Sequence, residues 1–443
     1  MKRSRPLAAA AVALAALTLT AAGCSSSSST SATSPASAAS STPASSSPAS
    51  PASPASAASP ASAASSVFGT PHKATGTPYV FGMINDETGA VTFPEARQGS
   101  IAAADYVNDY LDGINGHPIV IDSCIGDGTP ATAARCANQL VADHPIAILG
   151  AADTGAPASL PIYARANLAY LGGIPFTPAT ETAANSIQFW SVSVGDNAAA
   201  AVYAGKTLGV KSVAIIYFSN AQGESIIPQI TPVFKAAGVT TIKDIPLSPT
   251  SPDPSPQAAL AEGSGAQLVY VDIPNGCGNV LKSLKSVGYA GKIMGIDPCG
   301  APPVLTAAAG GANGMYIASP FLLQSGSSAQ AQLFLAAMKK YAAPGTLVDS
   351  ISTAGFATVM NVQSVLATIK GTPTTASILA AFKTGTHDNF LSHAYTCNGQ
   401  ALKGAPAICN DNYLMNQVNN GVLTQPSSTD WTTSKGYFPG ISG

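Results

Sequence analysis

From about residue 77 to residue 296, short apolar runs alternate with stretches of helical periodicity. Runs at 79–83, 119–121, 146–149, 168–172, 213–218, 268–273 and 292–296 predict strands. The run at 213–218, Val-Ala-Ile-Ile-Tyr-Phe, has no polar interruption, as expected of a parallel strand covered on both faces. Over 95–111, Ile101, Ala104, Val107 and Leu111 recur at helical spacing, and Gly113-Ile114-Asn115-Gly116 ends the pattern. A second helix runs to 142, with Thr129 placed as N-cap and Pro130 in the first turn. Further helices are predicted over 157–165, 197–208, 224–237 and 279–287, the third despite Pro228 and Pro232. Strands and helices in this order predict βαβ units with parallel sheets, and 443 residues leave room for two of them. Prolines 246, 249, 252, 254 and 256 predict a surface loop over 246–256, because the alternation resumes directly after it. No internal repeat of fixed period is visible.

The N-terminus follows a different pattern. Lys2, Arg3 and Arg5 precede an uncharged run from residue 7 to 22, which ends in small residues; this reads as a signal peptide over 1–23. The run has 16 residues, short of the roughly 20 that span a bilayer. Cys24 directly follows Ala21-Ala22-Gly23, which resembles the lipobox of bacterial lipoproteins although Ala21 stands where Leu is usual. Cys24 is therefore the expected lipid attachment point. Residues 25–66 are almost entirely Ser, Ala, Pro and Thr, a composition with nothing to bury, so 24–77 is read as a disordered tether. Random-coil scaling gives residues 25–66 an end-to-end distance of roughly 35–40 Å.

Charge narrows the partners. Only 9% of residues are charged. Without Lys2, Arg3 and Arg5, 17 of the 20 basic residues remain against 22 acids, a formal charge of −5. No basic stripe exists to neutralise phosphates, so no nucleic-acid partner is expected. Six cysteines remain beside Cys24, an even number in an exported chain. Fifteen pairings are formally open; the spacing favours Cys124–Cys136, Cys277–Cys299 and Cys397–Cys409. With no CxxC or HxxxH pattern and scattered histidines, neither metal nor cofactor is expected. No Gly-x-Ser-x-Gly, HExxH or P-loop occurs, and Gly276-Cys277-Gly278 lacks the third glycine of a dinucleotide fingerprint. His387 and His393 have no nucleophile motif near them, and an enzyme is not expected.

Over about 78–400 the body resembles the type I periplasmic binding proteins of the leucine/isoleucine/valine-binding and amide-binding group, which serve ABC importers. The resemblance rests on an ordered series of features. These are the strand 79–83, Gly99 and the Ala-rich helix to Asn108, then Gly113-Ile114-Asn115-Gly116-His117-Pro118-Ile119-Val120-Ile121. Ile148-Leu149-Gly150 with Pro157-Ala158-Ser159, Val213-Ala214-Ile215-Ile216 with Gln222-Gly223-Glu224, and Gly314-Met315-Tyr316 follow. The resemblance implies an α/β fold of two Rossmann-like lobes with parallel sheets, joined by a three-crossover hinge, with lobe 1 at 78–192 and 321–392 and lobe 2 at 193–320 and 393–443. It implies a small polar or amino-acid-like solute bound outside the carboxyl ends of the strands, lobe closure by hinge motion, an ABC permease and ATPase as partners, and a monomer lipid-anchored on the outer face of the cytoplasmic membrane. The same fold also suits a ligand-sensing receptor domain or a cell-surface adhesion module.

Site residues follow from the same comparison. Thr154, beside the Gly155 backbone, is expected to offer a hydroxyl to a ligand carboxylate, or to cap a helix; Asp153 either caps the helix or faces the cleft. Ile174 or Pro175 would supply a carbonyl and Thr177 a hydroxyl. Asp297, at a strand end of the second lobe, is the expected partner of a ligand ammonium. Gln222 stands where the family commonly carries an aromatic residue, the loop with Asn275 lacks the usual Tyr, and Phe93 replaces a frequent Tyr or simply packs; a ligand more polar than a branched aliphatic one is therefore expected.

Overall fold

The computed structural model describes residues 67–441, apart from Ala90, Ser193, 426–429 and the side chains of Ala221 and Gln222. The export segment, Cys24 and the tether as far as residue 66 lie outside the described residues; residues 67–77, read above as the end of the tether, are packed on the body, with Phe68 against Tyr106 and Tyr110 and the Ala74 N–H donating to the Asn108 carbonyl at 2.8 Å.

The first sheet holds β1 (Tyr79–Asp86), β2 (Ile119–Gly126), β3 (Ala147–Leu149), β4 (Tyr170–Leu171) and β5 (Ser186–Ile187) in the order β2-β1-β3-β4-β5, all parallel. Side chains alternate between two cores, as the pleat requires. Phe81, Met83, Ala147, Leu149 and Leu171 enter one, while Ile84, Ile148 and Tyr170 enter the other. α2 (Pro130–Ala142) and α3 (Ala156–Arg165) cover the second face. Thr129 caps α2 by accepting the Thr132 N–H, with Pro130 at the first position, as predicted. α4 (Pro178–Thr182) is a single short turn.

The first face is covered by α1 (Pro94–Tyr110) together with helices from much later in the chain: α10 (Ala329–Tyr341), α11 (Ser350–Leu366) and α12 (Thr375–Phe382). α1 and α11 cross almost in backbone contact. A Cβ on Gly99 would lie 2.1 Å from the Ser352 carbonyl oxygen, and one on Gly355 would lie 1.9 Å from that of Ala96. The Ser100 hydroxyl donates across the crossing to the Gly355 carbonyl at 3.1 Å.

The second sheet runs β12-β11-β10-β9-β8-β6-β7. Its parallel members are β6 (Ser212–Phe218), β7 (Thr241–Leu247), β8 (Leu268–Asp272), β9 (Lys292–Gly295) and β10 (Tyr316–Ser319). β11 (Leu414–Asn419) and β12 (Val422–Thr424) add an antiparallel hairpin at the far edge. Packed against it are α5 (Gly195–Val202) with a π-helical turn at Tyr203–Thr207, α6 (Ala221–Ala237), α7 (Ser255–Glu262), α8 (Cys277–Ser286) and α9 (Pro302–Ala307). Pro228 and Pro232 sit inside α6 without ending it. Ile226, Ile227, Ile230, Val233 and Phe234 all bury from this helix, and that burial outweighs the lost backbone bonds. The proline-rich loop is shorter than its composition predicts: Pro246 belongs to β7 and Ser255 opens α7. β7 is an edge strand, where a proline need not donate to a neighbour.

The molecule is therefore two α/β lobes with mostly parallel sheets, as the resemblance implies. The chain passes from the first sheet to the second after β5, returns after β10 for α10–α12, and crosses again to supply β11 and β12. The third passage is tied to the first: the Gln188 N–H donates to the Ala407 carbonyl at 2.8 Å, and the Cys409 N–H to the Gln188 carbonyl at 2.8 Å. Three disulfides join Cys124–Cys136, Cys277–Cys299 and Cys397–Cys409, the sequential pairs that the spacing favours. Among the described residues no helix is long and apolar enough to cross a membrane.

Candidate functional site

In an open α/β sheet, loops at the carboxyl ends of strands carry the ligand. Here the carboxyl ends of both sheets meet across a cleft with an inner chamber and an outer mouth. The chamber is walled on the first-lobe side by Ile174, Phe176 and Ile351, and on the second by Asn197, Phe218, Asn220 and Pro274. Asp196, Asp272 and Asp297 line it as well. It leaves about 60 Å³ for the centres of water-sized molecules, room for roughly four to six waters and so for a small solute. Pro274, Asp297, Pro298 and Ile351 are shared with the mouth, about 500 Å³, which extends along Phe93, Glu95, Asn275 and Asp349. A larger groove of about 830 Å³ lies at the amino ends of the second-sheet strands, against Lys292 and Tyr316, where no strand-end loop converges.

Each chamber acid is delivered by the end of a buried element. Asp272 closes β8, a strand buried along its whole length. It is only 7% exposed, and its Oδ2 has no hydrogen-bond partner among the described residues. Burial alone pushes its carboxyl up to about 7. Asp196 lies in the first turn of α5 and accepts the Asn197 backbone N–H at 2.7 Å and its side-chain N–H at 3.1 Å. Burial raises the Asp196 carboxyl well above the ordinary range, and the nearby charges of Asp272, Asp297 and Glu181 add to the effect. Tyr270 donates to Asn197 Oδ1 and so fixes the amide beside Asp196. Asp297 follows β9 and is half-buried. Burial and then the Asp349 charge push it up to about 6, while hydrogen bonds from Ser350 and Ser319 hold it down. In the mouth, Glu95 is raised to about 7, chiefly by burial, with Asp349 and Glu87 adding repulsion. Asp349 caps α11 by accepting the Ser352 N–H at 2.9 Å.

Among the described residues, no Lys, Arg or His lines the chamber or the mouth. Five acidic side chains without a cation among the described lining residues form a surface that draws positive charge, since a cation arriving beside them favours their ionised forms. Among the described residues, no group of three or more His, Cys, Asp or Glu is placed to hold a metal ion.

The residues singled out from sequence are distributed unevenly. Ile174 and Asp297 line the chamber. Phe93 and Asn275 line the mouth, and Phe93 stacks on Phe176 with ring centroids 5.1 Å apart. Thr177 sits at the start of α4 with its Oγ1 buried and without a hydrogen-bond partner. Thr154 turns its hydroxyl to Asp86 Oδ2 at 2.6 Å, and Gly155 occupies the N-cap of α3 without a side-chain bond. Asp153 is 2% exposed and accepts from Ser159 Oγ at 2.8 Å. The side chain of Gln222 lies outside the described residues. Asp196, Asn197, Asp272, Phe176 and Phe218 are chamber residues that the sequence reading passed over. The available signal was an acid closing an apolar strand or opening a helix.

Residues 78–408 match the family described as periplasmic binding protein. The chain belongs to that family. No curated protein matches it at a significant level. Among solved structures, an ABC transporter substrate-binding protein from Sphaerobacter thermophilus is similar at 16% identity and a TM-score of 0.69, over 81% of this chain and 98% of that one. A branched-chain amino acid transporter substrate-binding protein, LivJ, from Streptococcus pneumoniae in complex with isoleucine is similar at 17% identity and a TM-score of 0.63, over 79% and 100%. A solute-binding protein of an ABC transporter from R. palustris in complex with 4-hydroxybenzoate is similar at 17% identity and a TM-score of 0.67, over 81% and 98%. These likenesses establish the shared fold of this periplasmic binding protein.

Proposed function

We propose that this protein is the extracytoplasmic substrate-binding subunit of an ABC importer, and that it closes its lobes on a small solute carrying an ammonium group. The observation that carries the reading is Asp272, a buried carboxylate with an unpartnered oxygen in a chamber between two α/β lobes. A buried charge without a partner is costly in the free protein, and a cationic group arriving in the chamber relieves that cost. Asp297 and Asp196 stand beside it, Ile174, Phe176 and Phe218 supply apolar walls, and Asn197 supplies polar contact. With lobe limits at 192, 320 and 392 the cleft would lie between the two lobes, and a monomer would suffice to form it. Cys24 as the lipid-bearing N-terminus, followed by the Ser/Ala/Pro tether, would hold the binding body at the outer membrane face near its permease and ATPase.

Ligand-induced thermal shift tests the reading. A solute at one hundred times its Kd stabilises the closed form by about 2.7 kcal/mol, and Asp272→Asn is expected to abolish the shift for ammonium-bearing solutes. A panel of amines and amino acids that leaves the melting temperature unmoved overturns the assignment. Diacylglyceryl-Cys24 in membrane-extracted protein is the expected mass-spectrometric finding; a mature N-terminus elsewhere removes the anchor from the proposal.

A further inference from the structure

An amino acid carries a carboxylate as well as an ammonium group. Of the two first-lobe hydroxyls that the family resemblance offers, that of Thr154 is already engaged, and that of Thr177, although unpartnered among the described residues, is buried and lines neither the chamber nor the mouth. Asp86, at the end of β1 and 1% exposed, engages Thr154. Its Oδ2 accepts the Thr154 N–H at 2.9 Å and the Thr154 hydroxyl at 2.6 Å, and its Oδ1 accepts the Gly128 N–H at 3.1 Å. The protein's own carboxylate thus takes the donors that a ligand carboxylate would need. Neighbouring donors are committed too: the Ala152 N–H to Asn85 Oδ1 at 3.1 Å, the Gly173 N–H to Thr358 Oγ1 at 2.9 Å and the Ile174 N–H to the Ala151 carbonyl at 3.0 Å.

The rest of the cleft repels a carboxylate. Asp196, Asp272 and Asp297 face the chamber, Glu95 and Asp349 line the mouth, and no cationic side chain among the described residues lines either. Asp297 belongs to both sections, so acidic groups run from the inner end of the cleft to its entrance. The walls between them are apolar, with Ile174, Phe176 and Phe218 inside and Phe93 and Leu322 outside. That alternation suits a chain of methylenes with a positive charge at each end.

We propose that the ligand is a linear diamine without a carboxylate, one ammonium seated at Asp272 and Asp297 in the chamber and the other at Glu95 and Asp349 in the mouth. This deepens the reading of the cleft as a solute site and rests on it.

Calorimetric titration of the mature full chain with matched probes tests the inference: 1,4-diaminobutane against ornithine, 1,5-diaminopentane against lysine, and 1-aminobutane as the single-charge control. Each diamine is expected to bind at least tenfold tighter than its carboxylated counterpart and tighter than the monoamine. Glu95→Gln is expected to weaken the diamines about tenfold and leave the monoamine unchanged. Amino acids that bind as tightly as the diamines, with affinity lost in Asp272→Asn, overturn the diamine assignment and keep the cleft. If no probe gives heat that depends on Asp272, the cleft reading falls with it. The wild-type comparison decides the matter even if a variant fails to fold.

Discussion

Replacing Asp272 by Asn separates the cost of a buried charge from its use. The folded protein raises this carboxyl from 3.8 to about 7, and at about 1.36 kcal/mol per pKa unit the ionised form costs the ligand-free state roughly 4 kcal/mol above pH 7. The asparagine amide carries no charge, but it remains short of hydrogen-bond partners in the same place and gives back about 1–3 kcal/mol. At pH 8 the variant should be more stable than the wild type by roughly 1–3 kcal/mol, a rise in Tm of about 2–6 °C for a body of this size. A pKa higher in the folded than in the unfolded chain means that the contribution of Asp272 to stability is fully present below about pH 4 and lost as pH climbs through about 7. At pH 5 the wild-type carboxyl holds its proton when folded, so the advantage of the variant shrinks by roughly 3 kcal/mol. Differential scanning calorimetry of the ligand-free protein at pH 5 and pH 8 reads both values. A variant that melts below the wild type by the same margin at both pH values would refute the reasoning, because Asp272 would then be making a structural bond instead of waiting for a cation.

Affinity for an amine should move the other way with pH. As Asp297 and Asp272 lose their protons through about 6 and about 7, binding measured by calorimetric titration should strengthen at least tenfold between pH 5 and pH 8; a flat profile would exclude both acids from the contact. Gly99→Ala should destabilise by roughly 1–3 kcal/mol in chemical denaturation, because its methyl group meets the Ser352 carbonyl where α1 crosses α11. Opening Cys397–Cys409 by paired serine substitution removes a bridge between residues 12 apart and should lower stability by roughly 3 kcal/mol in a thermal melt; an unchanged melt would show that hydrogen bonding alone fixes that crossing.

The elements readable in the sequence are those whose burial is one-sided in kind. β6 is an uninterrupted apolar run and lies between β7 and β8, while α2 announces itself through Thr129 and Pro130. β7, Thr-Ile-Lys-Asp-Ile-Pro-Leu, was hidden because an edge strand needs only part of its length buried and tolerates a proline. α7 was hidden among the serines and prolines around it, and its apolar positions show little helical bias. At the candidate site, Asp297 was legible because it follows a strand and precedes a Pro-Cys-Gly turn. Asp272 lay inside the apolar run predicted over 268–273, and Asp196 fell just ahead of the helix predicted over 197–208. Their significance depends on the first turn of α5 meeting the end of β8, with 76 positions separating Asp196 from Asp272, and on Ile174 and Ile351 arriving from the other lobe. The engagement of Thr154 by Asp86 is likewise a product of folding, since 68 positions separate the two.

The bridges Cys124–Cys136, Cys277–Cys299 and Cys397–Cys409 also bear on when the body can form. Kept as dithiols in a reducing compartment, the polypeptide forgoes constraints that together amount to roughly 9 kcal/mol, as large as the whole stability margin of an ordinary domain at about 5–15 kcal/mol. On the export route proposed above, such a chain would stay pliable enough to be threaded through a translocation pore, and an oxidant on the far side would seal it in its working shape.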